Sequence, residues 1–540
     1  MPMGDAGKLE RELRAIAEAM RRGDRAGASE VAERALAAGL VHPHLLTICA
    51  YRRMEAGQTE AALALASQAA ELDPRNIDAL AAKANCLARL ERAREAMEIF
   101  DAAIALAPGD AGLRYAAAIA LEQLREFKRA AQAFESAFAL DPGNVEAAAR
   151  LAFLSSTRGD MRMAREAGMK ALARNPHQVM ASFAVALADL EAEKFEDAER
   201  RVREVLDLPG ASTVVRAMAQ SILGDVLSAM GRYDAAYACY ASSGVALRNL
   251  YAPPPKAGET ALARARRIAA YIEREPASKW RSAAGNSPVR SHAFLVSFPR
   301  SGTTLLSNIL DAHPHIRALD ERRTLATSLD LAASDEGLDR FTAMGESELD
   351  TYREAYWSRA RSNGFDGTKS VLVDKMPLNS VNLCLVARLF PQAKIIFALR
   401  DPRDVVFSCF RRRFEMSRQH YELLTLESTA TYYDAVMGLS EIGREKLGLA
   451  FFDVRNEDLV SAFSEWTNAL CAFLGVEPDA ALEGFAGRAR NRDIATPGAS
   501  QIGRGLSSNS FDRWKPFAAH MAAVMPLLDP WVRRFGYGDA

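Results

Sequence analysis

The chain has 540 residues, with 68 Lys and Arg against 69 Asp and Glu and six cysteines. That length calls for two or more domains, and the balanced charge gives no bulk case for nucleic acid or an anionic membrane as partner. The cysteines (Cys49, Cys86, Cys239, Cys384, Cys409, Cys471) are scattered without a C-x-x-C, which argues against a disulfide scaffold or zinc site and suits a reducing compartment.

The amino terminus, MPMGDAGKLERELRA, is charged and has no apolar signal core. No uninterrupted apolar run approaches the ~20 residues of a membrane span. A cytoplasmic protein is expected.

Up to about residue 246 the sequence is alanine-rich and reads as helix. Pro74, Pro108, Pro142 and Pro176 recur every 34 residues, with Pro209 one short. The first three sit in LDPRN, LAPGD and LDPGN, phrases that stop one helix and start the next. Ala28, Ala62, Ala96, Ala130, Ala164 and Ala198 keep the same phase, as do Ala35, Ala69, Ala103, Ala137 and Ala171. Phe100 and Phe134 are their large partners. Small residues at helix crossings, a closing proline and a 34-residue period form the tetratricopeptide-repeat pattern. Residues 9–246 are read as six or seven such repeats, the last marked by Gly224, Ala236 and Tyr240. Arrays of this kind bind extended peptide or protein along a concave face.

Residues 247–290 read as a connecting segment: a break at Pro253-Pro254-Pro255, then a helix over 261–275. Residues 291–540 read as α/β. Four apolar runs, 293–298, 371–373, 395–399 and 450–454, are separated by amphipathic helices, which implies a parallel sheet covered on both faces. Each run ends in polar residues: Pro299-Arg300, Asp374-Lys375, Arg400-Asp401 and Arg455-Asn456. Ligands of such sheets bind beyond those carboxyl ends.

The first run leads into Pro299-Arg300-Ser301-Gly302-Thr303-Thr304 and an apolar helix. A strand, a tight glycine turn and a helix aim backbone N–H groups and the helix dipole at an anion. The turn lacks the second glycine and the lysine of an ATP or GTP loop. The third run, IIFALRDPRDVVFSCFRRRF, places Arg400 at a strand tip. Ser408 and Arg412 are expected on one face of the next helix, a cluster suited to phosphate.

PRSGTT together with the Arg400/Ser408 pair resembles PAPS-dependent sulfotransferases, and most closely the tyrosylprotein sulfotransferases. Bacterial proteins that join tetratricopeptide repeats to a sulfotransferase domain share DKMPLN (374–379) and ARLFPQAKIIFALRDPRD. The resemblance covers residues 292 to about 538 and implies an all-α repeat solenoid followed by a P-loop-like α/β sulfotransferase domain. It implies that Arg300, Ser301, Gly302, Thr303 and Thr304 cradle the 5′-phosphosulfate, and that Arg400, Ser408 and Arg412 hold the 3′-phosphate. The tail TPGASQIGRGLSSNSFDRWKPF resembles the loop covering the nucleotide, with Ser510, Arg513 and Trp514 near it. The family's catalytic glutamate falls on Glu321, with Arg300 and Lys375 balancing charge. No metal is expected. Two departures stand out: Asn456 where the family often has tyrosine, and Arg322 after the acidic pair Asp320-Glu321.

The expected activity is transfer of a sulfuryl group from PAPS to a hydroxyl, leaving adenosine 3′,5′-bisphosphate. The expected acceptor is a tyrosine in a protein or peptide recruited by the repeats. A carbohydrate or small-molecule acceptor is the alternative. Two further rivals are a nucleotide kinase, with Asp374 as a magnesium ligand, and a repeat scaffold bearing an idle sulfotransferase-like domain.

Overall fold

The structure, a computed structural model, describes residues 3–90, 92–124, 126–251, 259–283, 285–491, 505–506 and 511–538. The expected break at Pro253–Pro255 and most of the tail loop, Ser510 included, lie outside them. Among the described residues no helix is long and apolar enough to cross a membrane.

The chain forms two compact units. One comprises residues 1–156 and 160–185 and consists of paired helices, from Met3–Arg21 to Val179–Glu191, a helix that runs on past its edge. The 34-residue rhythm has a direct physical counterpart here. The phased alanines 28, 62, 96, 130 and 164 are fully buried, as are Phe100 and Phe134. A larger side chain at those alanines would separate helices that now nest. The proline phrases also supply the cap of the following helix. Asn76 Oδ1 accepts from Ala79 N at 3.0 Å, Asp110 Oδ1 from Leu113 N at 3.0 Å and Asn144 Oδ1 from Ala147 N at 2.9 Å. Each bond satisfies an amide the helix itself cannot.

The other unit holds residues 186–540 with the turn 157–159. It contains the last helices of the repeat rhythm (Phe195–Leu206, Thr213–Ala229 and Tyr233–Leu250), the Ala261–Arg274 helix and a five-stranded parallel sheet. The strands are β1 (Ser291–Val296), β2 (Ile316–Asp320), β3 (Val371–Lys375), β4 (Lys394–Leu399) and β5 (Ala450–Arg455), in the order β2-β3-β1-β4-β5.

Four strands were expected and five are present among the described residues. β2 is a short edge strand whose alternating Arg317 and closing Asp320 interrupt any apolar run. β1 is central, and Ala293 and Leu295 pack with Leu306, Ile309 and Ile396 on one face. On the other, His292 and Phe294 meet Tyr356 and Phe390.

β1 and its neighbour β4 send their connections to opposite edges of the sheet, to β2 and to β5. The carboxyl end of β1 is therefore the point where a crevice opens. The segments after β1, β2, β3 and β4 converge at that edge.

Candidate active site

The turn after β1 takes a conformation that most side chains resist. Arg300 has φ 72° and Gly302 φ 90°. A Cβ on Gly302 would also lie 2.7 Å from Asn456 Cγ, so glycine is required for backbone angle and for space. Arg300 carries a side chain in the left-handed region, which costs of order 1–3 kcal/mol and clusters at functional sites. The entry to the turn is clamped: Ser297 N donates to Pro377 O at 2.9 Å, and Ser380 Oγ donates to Ser297 O at 3.0 Å. Gly302 then caps the Thr303–Ala312 helix, with Ser301 and Thr303 buried. The leading amides of a helix have no partner within it, so this end attracts anions.

Arg300 reaches across to the Pro402–Arg411 helix, where its Nε donates to Ser408 Oγ at 3.1 Å. Arg400, at the tip of β4, donates through Nη1 to Arg300 O at 3.2 Å and pairs through Nη2 with Asp404 at 3.4 Å. A pocket is lined by Arg300, Arg400, Asp404, Phe407, Ser408, Arg411 and Arg513. Four guanidinium groups thus face one carboxylate. Burial, followed by the charges of Arg412, Arg400 and Arg411, pushes Arg300 down to about 9. An anion entering here would relieve that strain.

Arg411 is 8% exposed, and its Nε is buried without a hydrogen-bond partner among the described residues. An unsatisfied buried donor costs about 1–3 kcal/mol, more when charged, and phosphate oxygens would satisfy it.

Arg411 was missed in the sequence, and Arg412 requires a correction. The helix ends at Arg411, and Arg412 is its extended C-cap (φ −92°, ψ 148°) rather than a helical neighbour of Ser408. Arg412 Nη1 lies 3.6 Å from Asp225 Oδ2 and does not line the pocket. The signal available was the RRR run itself: in a helix three consecutive arginines point in different directions, and only tertiary contacts say which one enters the pocket.

Arg513 lines the pocket, and Trp514 after it is buried. Asp404 accepts from the Asp512 and Trp514 amides at 2.7 and 3.1 Å, and the Arg403 guanidinium lies 4.3 Å from the Trp514 ring.

A second cluster lies at the ends of β2 and β3. Lys375 is fully buried, and its Nζ is 2.5 Å from Asp320 Oδ1 and 2.8 Å from Glu321 Oε1. Glu321 N donates to Lys375 O at 2.8 Å, and Glu321 adopts φ 51°. The Glu321 side chain remains 29% exposed, so the carboxylate is held by the ammonium yet accessible.

Lys375 is the ion-pair partner of Glu321. His313, after the Thr303–Ala312 helix, is buried, with Nε2 2.8 Å from Glu477 O and Nδ1 accepting from His315 N at 3.1 Å. Both histidines belong to the turn.

Behind Lys375, Asp374 is wholly buried. Its Oδ2 accepts from Thr324 Oγ1 at 2.5 Å and from Tyr356 OH at 3.0 Å, and Tyr356 OH lies 2.7 Å from His292 Nε2. Burial raises Asp374 to about 6 against these hydrogen bonds. Its Oδ2 is thus engaged within the fold by Thr324 and Tyr356.

A glycine turn at the sheet's carboxyl edge, an arginine-lined pocket and a lysine-held glutamate thus meet in one region of the chain. Residues 293–480 match the sulfotransferase family, and residues 47–240 match the N-terminal TPR repeats region of Psidin. The chain is 24% identical over 256 residues to protein-tyrosine sulfotransferase 1 of Danio rerio, covering 45% of this chain and 71% of that one. It is 24% identical over 267 residues to protein-tyrosine sulfotransferase A of Caenorhabditis elegans, covering 48% and 70%. With protein-tyrosine sulfotransferase 1 of Mus musculus it shares 33% over 126 residues, 22% of this chain and 34% of that protein. Among solved structures, that of Pseudomonas aeruginosa pilF aligns with 40% of this chain and 94% of its own at 20% identity and a TM-score of 0.34. The C-terminal half thus contains a sulfotransferase domain resembling the protein-tyrosine sulfotransferases, and tetratricopeptide repeats precede it.

Proposed function

We propose that the domain transfers a sulfuryl group from PAPS to a hydroxyl acceptor, a tyrosine in a protein or peptide engaged by the repeats. The observation that carries this reading is the pocket in which Arg300, Arg400, Ser408, Arg411 and Arg513 meet a single carboxylate, with a buried guanidinium N–H unpartnered among the described residues. Such a pocket fits a dianionic phosphate beyond the one that the Arg300–Thr304 turn would cradle, and PAPS carries both. Ser301 to Thr304 would then hold the 5′-phosphosulfate and Arg400, Ser408 and Arg411 the 3′-phosphate. Arg513 and Trp514 would close the nucleotide side, while Ser510 lies outside the described residues.

In the reaction a bond forms between the acceptor oxygen and sulfur as the bond from sulfur to the 5′-phosphate oxygen breaks. The acceptor proton passes to Glu321, and the leaving phosphate keeps the electron pair, its charge met by Arg300 and the turn. A phenol has a pKa near 10, so proton removal must accompany bond formation at neutral pH. The Lys375 ammonium fixes the rotamer of Glu321. As Glu321 takes the proton, Lys375 keeps its second partner, Asp320, and its positive charge stays beside the reacting groups. Positioning and charge stabilisation thus do most of the catalysis.

The test is calorimetric binding of adenosine 3′,5′-bisphosphate against ATP, followed by transfer of labelled sulfate from PAPS to a tyrosine peptide. Tighter binding of the bisphosphate and label on the tyrosine are expected. ATP bound as well as the bisphosphate would point to the kinase reading. Label on a carbohydrate instead would keep the chemistry and change the acceptor.

A further inference from the structure

Three consecutive arginines, Arg411 to Arg413, leave the helix beside the pocket, and all three are held by the last two helices of the repeat rhythm. Asp225, on the Thr213–Ala229 helix, places Oδ1 2.8 Å from Arg411 Nη1 and Oδ2 3.6 Å from Arg412 Nη1. Tyr240, on the Tyr233–Leu250 helix, donates its hydroxyl to Asp225 Oδ1 at 2.8 Å. Ser221 Oγ donates to Arg411 O at 2.9 Å. Arg413 donates through Nε to Ser243 Oγ and through Nη2 to Tyr240 O, both at 2.7 Å.

The packing beneath these bonds is close. A Cβ on Gly224 would lie 2.4 Å from the Tyr240 ring, and one on Gly244 would lie 1.8 Å from Leu424 O. The two repeat helices thus pack closely on each other and on the segment that leads into the Leu426–Lys446 helix.

We propose that Asp225 is a positioning residue of the nucleotide site: by holding Arg411 Nη1 from the repeat side, it leaves the Nε-bearing edge of that guanidinium for the 3′-phosphate. The inference rests on the nucleotide reading above. Its physical basis is the planar fork of arginine: when one Nη is tied to a carboxylate, Nε and the other Nη remain as a pair matched to two phosphate oxygens. Arg411 lines the pocket, and its buried Nε lacks a partner among the described residues. Asp225 also brings a second carboxylate to a cluster otherwise balanced by Asp404. The repeat rhythm therefore supplies part of the donor site.

The experiment measures affinity of the full chain for adenosine 3′,5′-bisphosphate and for adenosine 5′-phosphate, with thermal unfolding of each variant as control. Asp225→Asn keeps shape and removes the charge that orients Arg411. It is expected to lower the preference for the bisphosphate about tenfold, the low end for a charged hydrogen bond, and to leave 5′-phosphate affinity unchanged. A folded Asp225→Asn protein with wild-type preference would overturn the proposal. If the single variant fails to fold because Arg411 is left unpaired, Asp225→Asn/Arg411→Gln removes both charges together. That double variant should match Arg411→Gln alone in preference, since Asp225 acts through Arg411, and a further loss would overturn the proposal. A wild-type protein without preference for the bisphosphate would defeat the nucleotide reading and this inference with it. An intact wild-type preference that Asp225→Asn does not move would defeat the inference alone.

Discussion

Glu321 and Lys375 act as a pair, and a substitution at one is read through the other. Glu321→Gln keeps the shape and removes the base. It should lower kcat by about 10²–10⁴ while donor affinity stays nearly constant, as steady-state kinetics beside bisphosphate titration would show. Arg400→Ala removes a buried charge from the phosphate pocket and should weaken bisphosphate binding by about 1.5–3 kcal/mol. A nucleotide lacking the 3′-phosphate should be little affected, and equal losses for both would remove Arg400 from that role. Asp374 gives a pH signature of its own. Burial lifts its carboxyl from the ordinary 3.8 to about 6. Folding therefore favours the protonated form, and this residue's contribution to stability falls as pH rises from 3.8 through 6. The accumulated penalty at neutral pH is about 3 kcal/mol, at 1.36 kcal/mol per unit. Asp374→Asn should accordingly raise Tm more at pH 8 than at pH 4.5, which calorimetry at the two pH values would check.

At the scale of elements, the Pro299–Thr304 turn depends on one glycine. Gly302→Ala would force a side chain into φ 90° and against Asn456 at once. The left-handed angle alone costs about 1–2 kcal/mol, so the turn should shift and donor binding should fall well over tenfold while the sheet persists. Near-normal bisphosphate affinity in a folded Gly302→Ala protein would show that the turn does not cradle the donor. The strands flanking this turn were legible because three of the four apolar runs are buried on both faces; β5, the fourth, lies at the sheet edge. β2 was not, since an edge strand needs no apolar run. The helix end at Arg411 was also invisible: nothing in FSCFRRRF marks a stop, and contacts from Ser221 and Ser243 hold the chain where it turns.

For the whole molecule, the packing of residues 195–250 on Arg411 to Arg413 revises where the catalytic unit begins. A protein cut near residue 255 loses Ser221, Asp225, Tyr240 and Ser243 and leaves buried arginines without partners. Breaking such a buried pair costs about 3–5 kcal/mol, so this fragment should be insoluble or unable to bind the bisphosphate. A fragment starting at residue 179 keeps those helices and should bind the bisphosphate like the full chain. Its turnover of a short tyrosine peptide should then fall less than its turnover of a protein acceptor. Equal losses for the two acceptors would mean that the earlier repeats do not recruit substrate.

Local patterns carried much of this protein. The 34-residue phase of small residues, the caps within the proline phrases and the PRSGTT turn depend on neighbours in the chain, so they could be read there. So could the placing of Arg400 and Ser408 along one pocket, because a strand tip and the helix after it have fixed relative geometry. What lay beyond local reading were contacts between residues far apart in sequence. Asp225 reaches Arg411 across 186 positions, Lys375 reaches Glu321 across 54, and Gly302 rests on Asn456. Many residues of each type could have formed such pairs, and only the packing of helices and strands around the sheet edge selected these.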